Sequence, residues 1–227
     1  MNKILVIAAH PDDEILGCGG FLAKYGGKGT KVVCVAEGSS CRFNSDEIND
    51  KHVTNKIAER NGFCVKSLST FGITDIKFYN YPCGRLDVIP IIDINKLIES
   101  EINDFKPQTV LTHSQFDVNN DHKIVYRSTM MATRPGIFIG LNKVISYEVP
   151  SSTEWSFSDV FQPNLFEVLE QKHIEKKWEA LKCYESEIFP YPHPRSHEGL
   201  IALSRYRGIQ AGVEFAEAYR VIRSINQ

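Results

Sequence analysis

No stretch of the sequence reaches the roughly eighteen consecutive apolar residues that a membrane-crossing helix needs. Its opening, MNKILVIAAHPDDE, meets a histidine and three acids too soon to be read as a signal peptide. A basic excess is also missing. Lys and Arg number 26 against 28 Asp and Glu, a net charge of -2, so there is little to neutralise a phosphate backbone, and a nucleic-acid partner is not expected. The six cysteines (Cys18, Cys34, Cys41, Cys64, Cys83, Cys183) contain no C-x-x-C pair. With no secretory signal, they imply reduced thiols in a cytoplasmic setting rather than a disulfide framework. Internal repeats and low-complexity segments are lacking too. What remains is 227 residues, 42% hydrophobic and 24% charged, the balance of a globular chain able to bury a core.

Aliphatic runs alternate with helical patterns. Lys3 to Ala9 (KILVIAA) and Lys31 to Ala36 (KVVCVA) have the continuous apolar character of parallel strands covered on both faces. Between them, EILGCGGFLAKY carries Ile15, Leu16, Phe21 and Leu22 at helical spacing before a Gly26-Gly27 stop. A helix is expected from Asp46 to Asn61, and weaker strands at Cys64 to Leu68 and Ile76 to Tyr79. The run IIDINKLIESEINDF predicts a helix ended by Pro107, followed by a strand at Thr109 to Thr112, a helix from Asp121 to Thr133 and a strand at Val144 to Tyr147. This alternation predicts an α/β fold, a doubly wound, mostly parallel, Rossmann-like sheet. A single domain is expected, with residues 1–149 as the sheet core. Residues 150–227 would form an appended helical and irregular layer, with helices at Glu170 to Ser186 and Ser196 to Gly208.

In such folds ligands bind beyond the carboxyl ends of the strands. Two loops there hold unusual side chains. The first is His10-Pro11-Asp12-Asp13-Glu14; the second runs from His113 through Asp117, Asn119 and Asp121 to His122. An imidazole and a carboxylate three residues apart, joined by an imidazole from a distant loop, give three N/O ligands with a position left open, the pattern of catalytic zinc. His10, Asp13 and His122 are the expected ligands. Asp12 would stand beside the metal as general base to its water. Helix capping explains Asp12 or Asp13 singly, yet one helix start does not call for His10, three consecutive acids and a second His/Asp-rich loop together.

The run AAHPDDEILGCGG resembles the A-H-P-D-D-E signature of the LmbE-like (PIG-L) N-acetylglucosaminyl deacetylase family. THSQFDVNNDH resembles that family's second motif, T-H-x-x-x-D-x-x-x-D-H. SYEVPSSTEW, FQPNLF, ALKCYESE, PHPRS and RGIQAGVEFAEAYRVIR extend the likeness over most of the chain. The resemblance implies zinc, or ferrous iron, on His10, Asp13 and His122, with Asp12 as general base in hydrolysis of an acetamide on a small amino sugar or conjugate. It also implies a homo-oligomer, a trimer or hexamer. One position departs: many relatives carry a histidine three residues before the ligand His, where this chain has Asn119. An amide there donates to a developing oxyanion but cannot shuttle a proton, a task that would pass to protonated Asp12.

Other assignments are weaker. Asp121, with His113, is expected to orient a ligand from behind. Arg42, Arg85, His193 and Arg195 are the candidate substrate contacts; the last two lie in the proline-locked run FPYPHPR. Gly17-Cys18-Gly19-Gly20 is best explained by close helix packing, since the dinucleotide fingerprint is not matched. Asp87 and Glu148 are expected to be exposed, as are His52, His173 and His197. Two other readings stay open: a sugar- or nucleotide-binding module without catalysis, and an amidase cleaving a sugar-thiol conjugate.

Overall fold

Ile4–Ala8 forms strand β1 because its aliphatic side chains find a core on either side. Ile4, Val6 and Ala8 join one apolar layer, Leu5 and Ile7 the other. The computed structural model describes residues 3–225. After β1 come α1 (Asp13–Tyr25), β2 (Thr30–Ala36), α2 (Lys51–Ser69), β3 (Asp75–Tyr81) and α3 (Ile91–Phe105). Then follow β4 (Thr109–His113), α4 (Asn120–Ala132), β5 (Lys143–Tyr147), β6 (Leu165–Leu169), α5 (Gln171–Leu181), α6 (His197–Ala211) and β7 (Phe215–Ser224). The seven strands make one sheet, ordered β3-β2-β1-β4-β5-β7-β6.

The first five strands are parallel neighbours, and β7 runs antiparallel to both β5 and β6. Residues of α1, α2 and α5 cover one face of the sheet, and residues of α3 and α4 the other. The fold is therefore α/β and doubly wound. Its winding reverses between β1 and β4, and a crevice at the carboxyl ends of these two strands is where this topology places ligands. No helix among the described residues is long and apolar enough to cross a membrane.

α1 is broken at Cys18 (φ -140°, ψ 24°). The glycines around the break let it lie close to the sheet. A Cβ on Gly17 would come within 2.2 Å of Tyr147, and one on Gly20 within 2.4 Å of Leu169. Glu217 of β7 accepts from the Gly20 and Phe21 amides, each at 2.7 Å, and so caps the second half of the helix. The same carboxylate takes Lys177 Nζ and the Tyr219 hydroxyl, both at 2.7 Å.

Two expectations fail here. Cys64 to Leu68 is the end of α2, not a strand: Val53, Arg60, Cys64 and Leu68 recur at helical spacing on the buried side. A Cβ at Gly62 would meet open space, so that residue sits on the free face and does not end the helix. In the C-terminal third, β6 and β7 extend the sheet where irregular chain is expected. Their charged members, Glu167, Glu217, Arg220 and Arg223, interrupt the aliphatic character that marks the central strands.

Candidate active site

β1 delivers His10 one residue beyond its end, and the helix that follows begins at once. The turn is tight enough to hold Asp12 at φ 115°, in the left-handed region that a residue with a side chain rarely occupies. His10 N and Asp12 N donate to the carboxylates of Asp13 (2.8 Å) and Glu14 (3.0 Å). Two acids of the motif thus cap their own turn, and the second oxygen of Glu14 accepts from the Tyr184 hydroxyl at 2.5 Å. β4 brings the second loop alongside, and α4 starts within it.

The donor atoms of His10, Asp13 and His122 lie within 4.8 Å of one another, and all three residues are buried. His10 Nδ1 and His122 Nε2 each stand 3.3 Å from the same oxygen, Asp13 Oδ2. Their outward nitrogens are engaged as well: His10 Nε2 lies 3.0 Å from Asp121 Oδ2, and His122 Nδ1 lies 3.1 Å from Asp117 Oδ2. Each imidazole is therefore backed by a carboxylate, the arrangement that fixes tautomer and ring orientation in ligating histidines.

Burial lowers the affinity of both imidazoles for protons, but their carboxylates outweigh it. Asp121 and Asp13 push His10 up to about 9; Asp13 and Asp117 push His122 up to about 10. Asp13 is held well below the usual carboxylate range, burial being overcome by His122 and His113. The cluster thus calls for two positive charges around one carboxylate. A divalent cation supplies the same charge with neutral imidazoles, so the donor set fits a zinc- or iron-type ion.

Asp12 is buried beside this set. Burial raises its pKa, while Arg60 and Arg195 oppose the rise. Arg60 Nη2 (3.0 Å) and Arg195 Nη1 (2.9 Å) both donate to Oδ2. Arg60 also donates to Pro11 O at 3.1 Å and bonds Glu187, whose carboxylate further takes Arg195 (3.0 Å) and Arg42 (2.7 Å). A cleft of about 560 Å³ opens past this ladder, with Arg42, Phe43, Arg60, Phe63 and Ser186 in its wall.

The structure brings His10, Asp12, Asp13, His113, Asp121, His122 and Arg195 together. Asp121 backs His10, with its carboxylate also taking the Gly84 and Leu86 amides at 2.6 and 3.1 Å. His113 Nε2 accepts from Ala9 N at 2.7 Å and its ring stacks on His122 at 4.1 Å between centroids. Burial and the neighbouring His122 lower its pKa to about 3, so it is a neutral wall behind that residue. Arg195, expected at the substrate, instead touches Asp12. Arg85 donates to the carbonyls of Ser40, Cys83 and Phe43, and His193 packs on Phe189 and accepts from Arg195 N; neither is bonded to His10, Asp12, Asp13 or His122. Asn119 also differs from expectation: its side-chain oxygen accepts from Asp121 N at 2.9 Å, capping α4.

Three residues escaped sequence reasoning. Asp117 sits inside the second motif but had no visible partner. Arg60 and Glu187 lie 48 and 127 residues from their partners Asp12 and Arg60. Two surface expectations are also corrected. Glu148 is buried in a two-pronged pair with Arg207 at 2.7 and 2.5 Å, and His173 is buried in the capping box of α5.

The PIG-L family, described as GlcNAc-PI de-N-acetylase, matches residues 5–133, which run from β1 to the end of α4 and include both motifs. The chain belongs to this family. The uncharacterized deacetylase YaiS of Escherichia coli K12 is 29% identical to it over 189 residues, covering 81% of this chain and 90% of YaiS. Among solved structures, the N,N'-diacetylchitobiose deacetylase of Pyrococcus horikoshii shares the fold at TM-score 0.76 and 20% identity, over 98% of this chain and 84% of that one. The 4-carboxy-2-hydroxymuconate hydratase GalB of Pseudomonas putida does so at TM-score 0.74 and 20% identity, over 100% and 98%.

Proposed function

We propose that the protein is a metal-dependent N-deacetylase that hydrolyses the acetamide of a small N-acetylated amino sugar or its conjugate. The observation that carries this reading is Asp12, a buried carboxylate gripped on one oxygen by two arginines and set next to the His10, Asp13 and His122 donors. Family membership and the names of YaiS and the Pyrococcus enzyme support the bond class.

His10 Nδ1, Asp13 and His122 Nε2 would hold the ion, zinc or ferrous iron, with Asp121 and Asp117 fixing the two rings. When bound, it supplies Lewis acidity and a positive charge that eases deprotonation of water. Arg60 and Arg195 occupy Asp12 Oδ2, which orients the carboxyl group and leaves Oδ1 to take the proton of the attacking water. Water oxygen bonds to the acetyl carbon, the C–N bond breaks, and the proton held on Asp12 passes to the departing amine. Acetate and the free amino sugar result. The cleft beyond Arg42 suits the remainder of the substrate.

The test is acetate release from a panel of N-acetylated sugars, free and conjugated, by zinc- or iron-loaded protein and by the same protein after chelation. Acetate from at least one sugar, abolished by the chelator and restored by the ion, is expected. Absence of acetate from every member, or turnover that survives chelation, would overturn the reading. Because GalB shares the fold, a parallel assay for water addition to a conjugated diacid separates the two chemistries.

A further inference from the structure

The turn after β5 presents three consecutive hydroxyls, Ser151, Ser152 and Thr153, none of which has a part in the hydrolysis described above. All three residues are buried. They lie beyond residue 133, outside the span that the family model matches. β5 runs parallel to β4 with Tyr147 opposite His113, so the turn lands against the loop that carries Asp117 and His122. Its shape is fixed locally. Ser152 N and Thr153 N donate to Val149 O at 3.1 and 2.9 Å, and the Glu154 carboxylate takes Ser151 N and Ser152 N at 2.6 and 3.1 Å.

Two of the hydroxyls converge on Asp117. Its Oδ1 accepts from Ser152 Oγ and, at 2.8 Å, from Asn119 N; its Oδ2 accepts from Thr153 Oγ1 at 2.6 Å. A carboxylate has about four acceptor positions. Three are taken by these donors, and His122 Nδ1 stands 3.1 Å from Oδ2, where the fourth remains. Thr153 has no choice of direction: its oxygen accepts from Val149 N at 2.8 Å, so its own hydrogen is left for Asp117. We propose that Ser152 and Thr153 are positioning residues for His122, acting through Asp117 to hold the imidazole with its Nε2 edge toward Asp13. The proposal rests on the reading of His10, Asp13 and His122 as the ligands of an ion. Ser151 serves as an internal control, because its Oγ accepts from Arg195 Nε at 2.6 Å and so belongs to the Asp12 side of the site.

Zinc affinity of the full-length chain, measured by competition with a chromophoric chelator, tests this without recourse to turnover. Thr153→Val removes the donor and is expected to weaken zinc binding roughly 10- to 100-fold, while Thr153→Ser keeps the hydroxyl and restores the parental affinity. Ser152→Ala weakens binding as well. It leaves the bond between Thr153 and Val149 in place, so it decides the matter should Thr153→Val fail to fold. Because both hydroxyls act through one carboxylate, neither substitution lowers affinity further in an Asp117→Ala background. Ser151→Ala keeps the parental affinity for zinc. Parental zinc binding by both Thr153→Val and Ser152→Ala would overturn the proposal, as would an undiminished loss in the Asp117→Ala background or an equal loss in Ser151→Ala. A parent chain that binds no zinc would instead overturn the ligand reading and the proposal together.

Discussion

Two buried clusters of charge share helix α1, one at its N-terminus and one at its break. At the break, Glu217 is fully matched: the Gly20 and Phe21 amides, Lys177 and the Tyr219 hydroxyl all donate to it. At the N-terminus, two imidazoles crowd one oxygen of Asp13, and Asp12 is held by a single oxygen. Burial and charge are common to both. The difference is that one cluster has exhausted its bonding capacity, while the other converges several donor atoms on a single carboxylate oxygen. Buried charge by itself therefore does not locate chemistry; donors converging on one point do.

Three substitutions sharpen or break this contrast. Asp12→Asn keeps the shape but removes the proton acceptor, and we expect turnover to fall roughly 10²- to 10⁴-fold with metal content retained. Activity within a few-fold of the parent would erase the distinction. Lys177→Met at the break should do the reverse. It strands a buried carboxylate and lowers stability by about 3–5 kcal/mol, as measured by denaturant unfolding, while turnover per folded molecule stays unchanged. A catalytic defect in folded Lys177→Met would show that the second cluster is not merely structural. Asn119→Ala should have the smallest effect, about 1 kcal/mol from the lost cap on α4. A turnover loss approaching that of Asp12→Asn would restore the oxyanion role that the sequence suggests for this amide.

The same contrast explains what was legible. β1, β2 and β4 carry continuous aliphatic runs, and the strand-end position of the two motifs follows from them, so the meeting of His10, Asp13 and His122 is expected without a structure. Asp117 was in view, but its link to His122 arises only when α4 folds back over the loop. Arg60 and Glu187 belong to a helix and a short turn far along the chain, and nothing local distinguishes them from surface charge. Glu148 and His173 were misjudged for a related reason: a polar side chain whose partner is distant in sequence looks exposed until the partner is seen. β7 escaped because Glu217, needed to seize α1, breaks the apolar pattern that identifies a strand.

Although β7 is the last of the seven strands in the sequence, it lies between β5 and β6 and reaches back to clamp the helix that carries Asp13. A growing polypeptide therefore emerges from the ribosome with both signature motifs already made but with that helix unsecured. The two-motif half of the molecule, which the family model covers, is in this sense a promissory part: a nascent or truncated product lacking residue 217 should leave the helix that carries Asp13 unsecured and fall to proteolysis before it can act.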